Sequence, residues 1–292
     1  MVLVVGATGS LGRRIVLRLR AQGEDVRALV RPASDWADLE RAGAEIALGD
    51  LKEPQSLARA CAGVDVVVTT ANSARRGGAD NVETVDLTGN RNLIDAAARA
   101  GVHRFVFVSV LGVSADSPVP FFRAKAAAEQ HLRDSGLEYT IIAPNIFMDV
   151  WLARLIEAPV AAGQPVTLVG EAARRHTFVA EDDVAAFATA AVRSPAARNA
   201  HVLVGGPEAL SFRDAVRIYE RALGREIAVR SVAPGEPIPG VIPAVLGLVA
   251  AFETYDSPLP MEETARRFGV TLASVEDRAR AFAASLRPPL EH

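Results

Sequence analysis

The chain has 292 residues, half of them hydrophobic and 23% charged, with a net charge of −3. That balance fills one large or two small cores and excludes a disordered chain, and the absence of a Lys/Arg-rich run excludes a nucleic-acid footprint. Cys61 is the only cysteine, so there is no disulfide framework or thiolate metal site, and no His-Glu-x-x-His spacing or carboxylate cluster implies another kind of metal.

The first predicted element is a strand, Val2–Val5, apolar throughout as a strand buried on both faces must be. It runs straight into Gly6-Ala7-Thr8-Gly9-Ser10-Leu11-Gly12. Glycines at this spacing turn the chain sharply and let backbone N–H groups approach a pyrophosphate at the positive end of the next helix. Gly6, Thr8, Gly9, Ser10, Leu11 and Gly12 are therefore candidate dinucleotide contacts. That helix, Leu11–Ala21, carries an apolar stripe of Ile15, Val16, Leu17 and Leu19 and stops at Gly23.

Further strands are predicted at Val26–Val30, Glu45–Leu48, Val64–Thr69, Arg104–Val110 and Glu138–Ile142. Helices between them fall at about Trp36–Ala42, Gln55–Cys61, Asp86–Ala100 and Phe122–Asp134. Regular alternation predicts an α/β fold, a doubly wound parallel (Rossmann) sheet of strand order 3-2-1-4-5-6, with the site at the carboxyl ends of the strands. Residues 1–145 are expected to form the dinucleotide-binding Rossmann domain.

The end of the second strand distinguishes NAD from NADP. Arg31 stands there with no competing carboxylate, because Glu24 and Asp25 precede the strand. A guanidinium fork suits the adenosine 2′-phosphate, and Arg13, directly after the third glycine, is placed to assist. The cofactor expected is NADP(H). Asp50 and Leu51 follow the third strand, where Asp50 either meets the adenine edge or caps the helix after Pro54. Thr70, Ala71 and Asn72 follow the fourth strand and are expected to line the floor beside the ribose and pyrophosphate.

After Asn145 the pattern changes. Asn145–Ala161 reads as helical, Val166–Val169 and His201–Val204 as short strands, and Glu181–Arg193 and Phe212–Leu223 as amphipathic helices. Glu262–Leu286 closes the chain with a helical section. Residues 146–292 are expected to form a smaller, C-terminal, substrate-facing lobe interleaved with the last sheet strand. Ser109 ends the fifth strand, either to touch a substrate carbonyl or as a polar terminus bonded to backbone. Asn145 follows Pro144, either to bind the carboxamide or substrate or to cap a helix, and Phe147 and Met148 either shape an apolar wall near the nicotinamide or pack into the core. His103 reads as structural. His176, beside Arg174 and Arg175, reads as an exposed loop residue. The apolar stretch Ile238 to Phe252 is too short and too interrupted by Pro and Gly to span a membrane. It serves either as a lid over an apolar substrate or as a contact with a second copy in a homodimer. Met1 leads straight into a strand, so a cytoplasmic protein without a leader is expected.

Several stretches together resemble the NmrA-like group of atypical short-chain dehydrogenases/reductases. They are Gly6 to Arg13, Gly101-Val102-His103-Arg104-Phe105-Val106-Phe107-Val108-Ser109, Lys125 to Glu129, Ser135 to Thr140, Pro144-Asn145-Ile146-Phe147-Met148 and Phe178 to Ala185. Orthodox members of that superfamily use a Tyr-x-x-x-Lys pair plus a serine, the lysine holding the ribose and lowering the tyrosine pKa. Here Lys125 is present, but Phe121 stands four residues earlier and has no proton to give. The resemblance therefore implies two functions. One is an NADPH-dependent reductase of a small apolar carbonyl, enone or quinone, with Lys125 positioning ribose and relaying the proton and Ser109 beside it. The other is a catalytically silent NADP(H) redox sensor that regulates a protein partner. An epimerase or dehydratase with tightly held cofactor is a third reading.

Overall fold

The computed structural model describes residues 1–74 and 77–286, and the chain folds as two compact units. The first comprises Met1–Pro144, Asp182–Leu203 and Arg266–Val270; the second comprises Asn145–Glu181, Val204–Ala265 and the chain from Thr271.

The first unit is built on β1 (Val2–Val5), α1 (Ser10–Ala21), β2 (Val26–Val30), α2 (Ala37–Arg41), β3 (Glu45–Leu48), α3 (Pro54–Cys61) and β4 (Val66–Thr69). These are followed by α4 (Asn90–Arg99), β5 (Arg104–Val108), α5 (Pro120–Asp134) and β6 (Glu138–Pro144). The neighbouring strands are parallel, with Val2 opposite both Val26 and Val66, and Arg104 opposite both Val66 and Glu138. Residues that begin the strands are thus in register, and their carboxyl ends open together. β1, β4 and β5 are buried along their whole length, as strands covered on both faces are. Helix α1 buries Gly12, Ile15, Val16 and Leu19, and Gly23 ends its turn at φ +81°.

The predicted strand order holds for six strands, and the sheet has a seventh, the strand Ala200–Val204, beside β6. Residues 182–203 join the first unit because Arg104 ties them to it. Its side chain is buried, ion-paired to Glu138, and donates to the carbonyls of Ala191, Val192 and Ser194 at the end of the helix Glu181–Arg193. A guanidinium there satisfies carbonyls that have no partner within the helix. Several predicted boundaries move, among them the start of β4 (Val66 rather than Val64), the start of α5 (Pro120 rather than Phe122) and the end of β6 (Pro144 rather than Ile142). The helix expected from Asp86 begins at Val82, as a π-helix to Gly89 that leads into α4, because Asn81 and Thr84 form a reciprocal capping box. β5 ends at Val108, two residues early. Cys61 sits in the apolar core, where burial pushes its thiol up to about 11, so it is inert as a nucleophile.

The second unit holds α6 (Met148–Leu152), a π-helical turn (Ala153–Glu157), α7 (Ala158–Ala161), β7 (Val166–Val169) and β8 (His176–Thr177). The helix Glu181–Arg193 and the strand Ala200–Val204 are α8 and β9 in chain order. There follow β10 (Ala209–Leu210), α9 (Phe212–Leu223), β11 (Val229–Val232), α10 (Pro243–Ala251), α11 (Glu262–Phe268), whose last three residues belong to the first unit, and α12 (Val275–Ser285). Two small sheets pair β7 with β11 in parallel and β8 with β10 antiparallel. Asn145–Phe147 are extended rather than helical, since Ile146 and Met148 exchange backbone hydrogen bonds with Val179. The closing helical section is two helices, broken at Gly269, whose φ is +66°. In the segment Ile238 to Phe252, Ile238, Val241, Val249 and Phe252 are buried in this unit's own core, and Ile242 is exposed. Among the described residues no helix is long and apolar enough to cross a membrane, and no cluster of metal-ligating side chains occurs.

Candidate functional site

The loops at the carboxyl ends of β1 to β4 converge on a cleft in the first unit. Gly6, Thr8, Arg31, Asp50, Leu51 and Ala71 line it, and so do Ser34 and Gly49, which the sequence did not single out. Gly6 has φ +80°, and a Cβ there would lie 2.7 Å from Thr70 Oγ1. A Cβ on Gly12 would lie 2.1 Å from the Gly6 carbonyl oxygen, so glycine is required where α1 leaves the turn. Gly9 precedes α1, and no side chain caps this helix end. Ser10, Leu11 and Gly12 form the first turn. A tight glycine turn feeding a helix start with no side-chain cap fits a pyrophosphate, which the helix's N–H groups would hold.

Charged groups rim the cleft. Arg31 Nη1 lies 2.6 Å from Asp80 Oδ2, and Lys52 Nζ pairs with the other oxygen of the same carboxylate. Hydrogen bonding to Asp80 raises the Lys52 pKa. Arg13 is held elsewhere, ion-paired with Asp38 and donating to the Asp35 carbonyl at 2.9 Å. The hydrogen bond from Arg13 lowers the Asp38 pKa. The two arginines therefore do not meet on one partner. Asp50 is not a helix cap: Glu53 precedes α3, and Asp50 Oδ1 instead accepts from the Lys52 backbone N–H at 2.8 Å. Thr70 continues from β4, its N–H bonded to Val5, and the Asn72 side chain bridges the Thr70 carbonyl and the Ala74 N–H.

Lys125 lies on α5 with its side chain buried. Its Nζ is 3.4 Å from the carbonyls of Ala71 and Val108, at the ends of β4 and β5, and 4.0 Å from Asp86 Oδ1. Asp86 in turn accepts from Ser73 N and Oγ, at 3.1 and 2.5 Å. The rings of Phe107 and Phe121 flank the amine at 4.7 and 5.8 Å. Burial pushes the Lys125 pKa down, against the opposing charges of Asp86 and Glu129. A desolvated lysine with two long contacts keeps donor capacity, which a role at ribose hydroxyls or in proton transfer requires.

Ser109 donates to Glu129 Oε1 at 2.5 Å, and Arg133 holds the other oxygen at 2.9 Å. The partner of Ser109 is thus a buried carboxylate rather than backbone. Glu129 follows Lys125 by one helical turn, a spacing that puts both on one face of α5. Pro144 ends β6 and its carbonyl accepts from Leu111. Asn145 and Phe147 belong to the second unit. The Asn145 amide donates to Thr177 Oγ1 and the Ser257 carbonyl, both at 2.8 Å, and accepts from Ser257 Oγ. Phe147, not Asn145, precedes α6.

His176 corrects its expected place in an exposed loop. It is fully buried, with Nδ1 2.7 Å from Ser257 Oγ and Nε2 3.0 Å from the Phe252 carbonyl. Phe178, Phe212, Phe252 and Tyr255 surround it, and burial lowers its pKa. His103, by contrast, stands exposed before β5.

Sequence reasoning missed Lys52, Asp80, Asp86 and Glu129. One signal was present for Lys52: of the 32 basic residues only Lys52 and Lys125 are lysines. Residues 6–195 match the model of a family described as NAD(P)H-binding. The chain is 33% identical over 231 residues to the photosystem II assembly factor Ycf39 of Cyanophora paradoxa, covering 79% of this chain and 71% of that one. It is 33% identical over 227 residues to an NAD(P)H azoreductase of Xenophilus azovorans, covering 78% and 75%. The fold matches the NADPH-dependent quinone oxidoreductase of Escherichia coli in complex with NADPH, with a TM-score of 0.80 at 20% identity over 96% of this chain and 99% of that one.

Proposed function

From the premise that this chain belongs to the NAD(P)H-binding oxidoreductase family, as an NmrA-like atypical short-chain dehydrogenase/reductase, we propose that it is an NADPH-dependent reductase of a small apolar carbonyl, enone or quinone. The observation that carries this reading is Lys125: a buried amine of lowered proton affinity at the ends of β4 and β5, beside Asp86. A merely structural lysine would pair closely with a carboxylate or reach solvent.

When bound, the reduced nicotinamide supplies the hydride. The chain's own residues bind, orient and handle the proton. Gly6, Gly9 and Gly12, with the first turn of α1, seat the pyrophosphate. Arg31 holds the 2′-phosphate, Leu51 and Ala71 line the adenosine side, and Asp50 offers its second oxygen to the base. Lys125 donates to ribose hydroxyls and relays the proton that the absent tyrosine would have given. The Ser109 hydroxyl, held by Glu129, lies directly after the end of β5. Quinones need less general-acid help than ketones, so Phe121 favours them as acceptors.

A second reading is a silent NADP(H) sensor that acts on a protein partner. Phe121 favours it, and so does the likeness to an assembly factor. The test is NADPH oxidation by the pure protein against quinones, enones and ketones, with NADH alongside. Turnover that prefers NADPH and is lost in Lys125→Ala at saturating cofactor supports the reductase. No turnover with any acceptor, together with NADPH-dependent retention of a partner, supports the sensor. Turnover that prefers NADH overturns the role given to Arg31.

A further inference from the structure

Arg31 and Lys52 lie just beyond the ends of β2 and β3, and they converge on one carboxylate. Each oxygen of Asp80 takes a cation from a different strand-end loop. Asp80 is drawn inward: its side chain is 12% exposed, while Gly77, Gly78, Ala79 and Asn81 around it are exposed. Glycine packing does not hold it there from the N-terminal side. A Cβ at Gly77 or Gly78 would meet nothing within 4 Å, and Gly78 has φ +63°. On the other side the chain is anchored, because Asn81 caps the following helix. The two cations thus hold the Asp80 carboxylate at the rim of the cleft.

We infer that Asp80 is a built-in competitor of the adenosine 2′-phosphate, taking the same two cations that the phosphate would take, and that Lys52 is a second phosphate-holding residue beside Arg31. This rests on the reading of Arg31 as the 2′-phosphate site. A phosphate monoester carries more charge and one more acceptor oxygen than a carboxylate, so it displaces Asp80. A 2′-hydroxyl has no charge to do so, and a ligand without the phosphate leaves the clamp closed. Asp50, 3.7 Å from Lys52 Nζ, keeps the lysine at the site when Asp80 swings away. Asp80 thus sets how tightly the phosphorylated cofactor is held, without contacting the cofactor itself.

The test is calorimetric titration of the full chain at low ionic strength with 2′,5′-ADP and with 5′-ADP, in wild type, Asp80→Asn, Lys52→Gln and Arg31→Gln. Removing an ion-pair competitor at the rim should tighten 2′,5′-ADP by roughly threefold to tenfold in Asp80→Asn, with 5′-ADP unchanged. Lys52→Gln should weaken 2′,5′-ADP by a similar factor, again with 5′-ADP unchanged. If wild type prefers 2′,5′-ADP, Arg31→Gln abolishes the preference and Asp80→Asn binds no tighter, the inference is overturned while the cofactor reading stands. If Lys52→Gln binds 2′,5′-ADP as wild type does, the role of Lys52 is overturned. If wild type shows no preference but Asp80→Asn gains one, Asp80 is the competitor and the wild-type cofactor reading fails. If neither shows a preference, both fail.

Discussion

Lys125 in the first unit and His176 in the second are both buried bases whose proton affinity burial lowers, yet their surroundings differ. Both nitrogens of His176 are committed at 2.7 and 3.0 Å, and four aromatic rings close around it. Lys125 has two contacts of 3.4 Å and a carboxylate at 4.0 Å, at the edge of hydrogen-bonding and ion-pairing reach. A lowered pKa alone does not separate a strut from a working group. The difference in the proposed roles rests instead on the hydrogen-bonding capacity that Lys125 keeps at the carboxyl ends of parallel strands.

Four perturbations act differently on the two bases. His176→Ala removes a fully buried ring and its hydrogen bonds with the Phe252 carbonyl and with Ser257 Oγ, which keeps Asn145. It should cost about 3–4 kcal/mol, read by urea unfolding; a loss below about 1 kcal/mol would mean the ring is no strut. Lys125→Met should lower turnover by roughly a hundredfold, about 2.7 kcal/mol of barrier, while changing stability by no more than about 1 kcal/mol, since Asp86 at 4.0 Å keeps its hydrogen bonds from Ser73. A large loss of stability instead would make Lys125 structural.

The third test is acid. The His176 pKa is lowered from 6.5 in the folded chain, so below that value the unfolded state binds the extra proton. The stability His176 contributes is complete above pH 6.5 and is lost as pH falls toward its folded value. His176→Gln should flatten that part of the stability–pH curve; an unchanged slope would assign the acid loss to other groups. Lys125 follows the same sign at alkaline pH, its penalty relieved as pH rises toward 10.5. The smallest effect is expected from Phe121→Tyr. It puts a hydroxyl on the ring beside Lys125 and should raise ketone turnover by up to roughly tenfold, with quinone turnover unmoved.

The first unit was largely legible because two periodicities alternate in it, and because the glycine turn has one geometry that a Cβ at Gly12 forbids. Arg31, Asp50, Leu51 and Ala71 follow from strand ends alone. Asp80 and Asp86 did not, since they sit in a connection and a π-helix where neither period applies. Glu129 was hidden because an acid one turn after a lysine reads as a solvated helix pair, whereas its partners are Ser109 and Arg133. The second unit was less legible. Arg174-Arg175-His176 looks polar, and the rings that enclose His176 come, apart from nearby Phe178, from distant Phe212, Phe252 and Tyr255. Asn145 looked like a cap or ligand because its partners, Thr177 and Ser257, lie 32 and 112 residues away.

The scarcity of lysine has a practical side. Only Lys52 and Lys125 carry side-chain amines, and the protein shields the second completely while leaving about a third of the first exposed. Besides the α-amine of Met1, an acylating dye therefore has a single side-chain address, beside the Asp80 carboxylate. The folded chain can be labelled there without introducing a cysteine, and the same reagent attacks Lys125 only once the first unit opens. One side-chain modification thus marks the rim of the cleft, and the second reports unfolding.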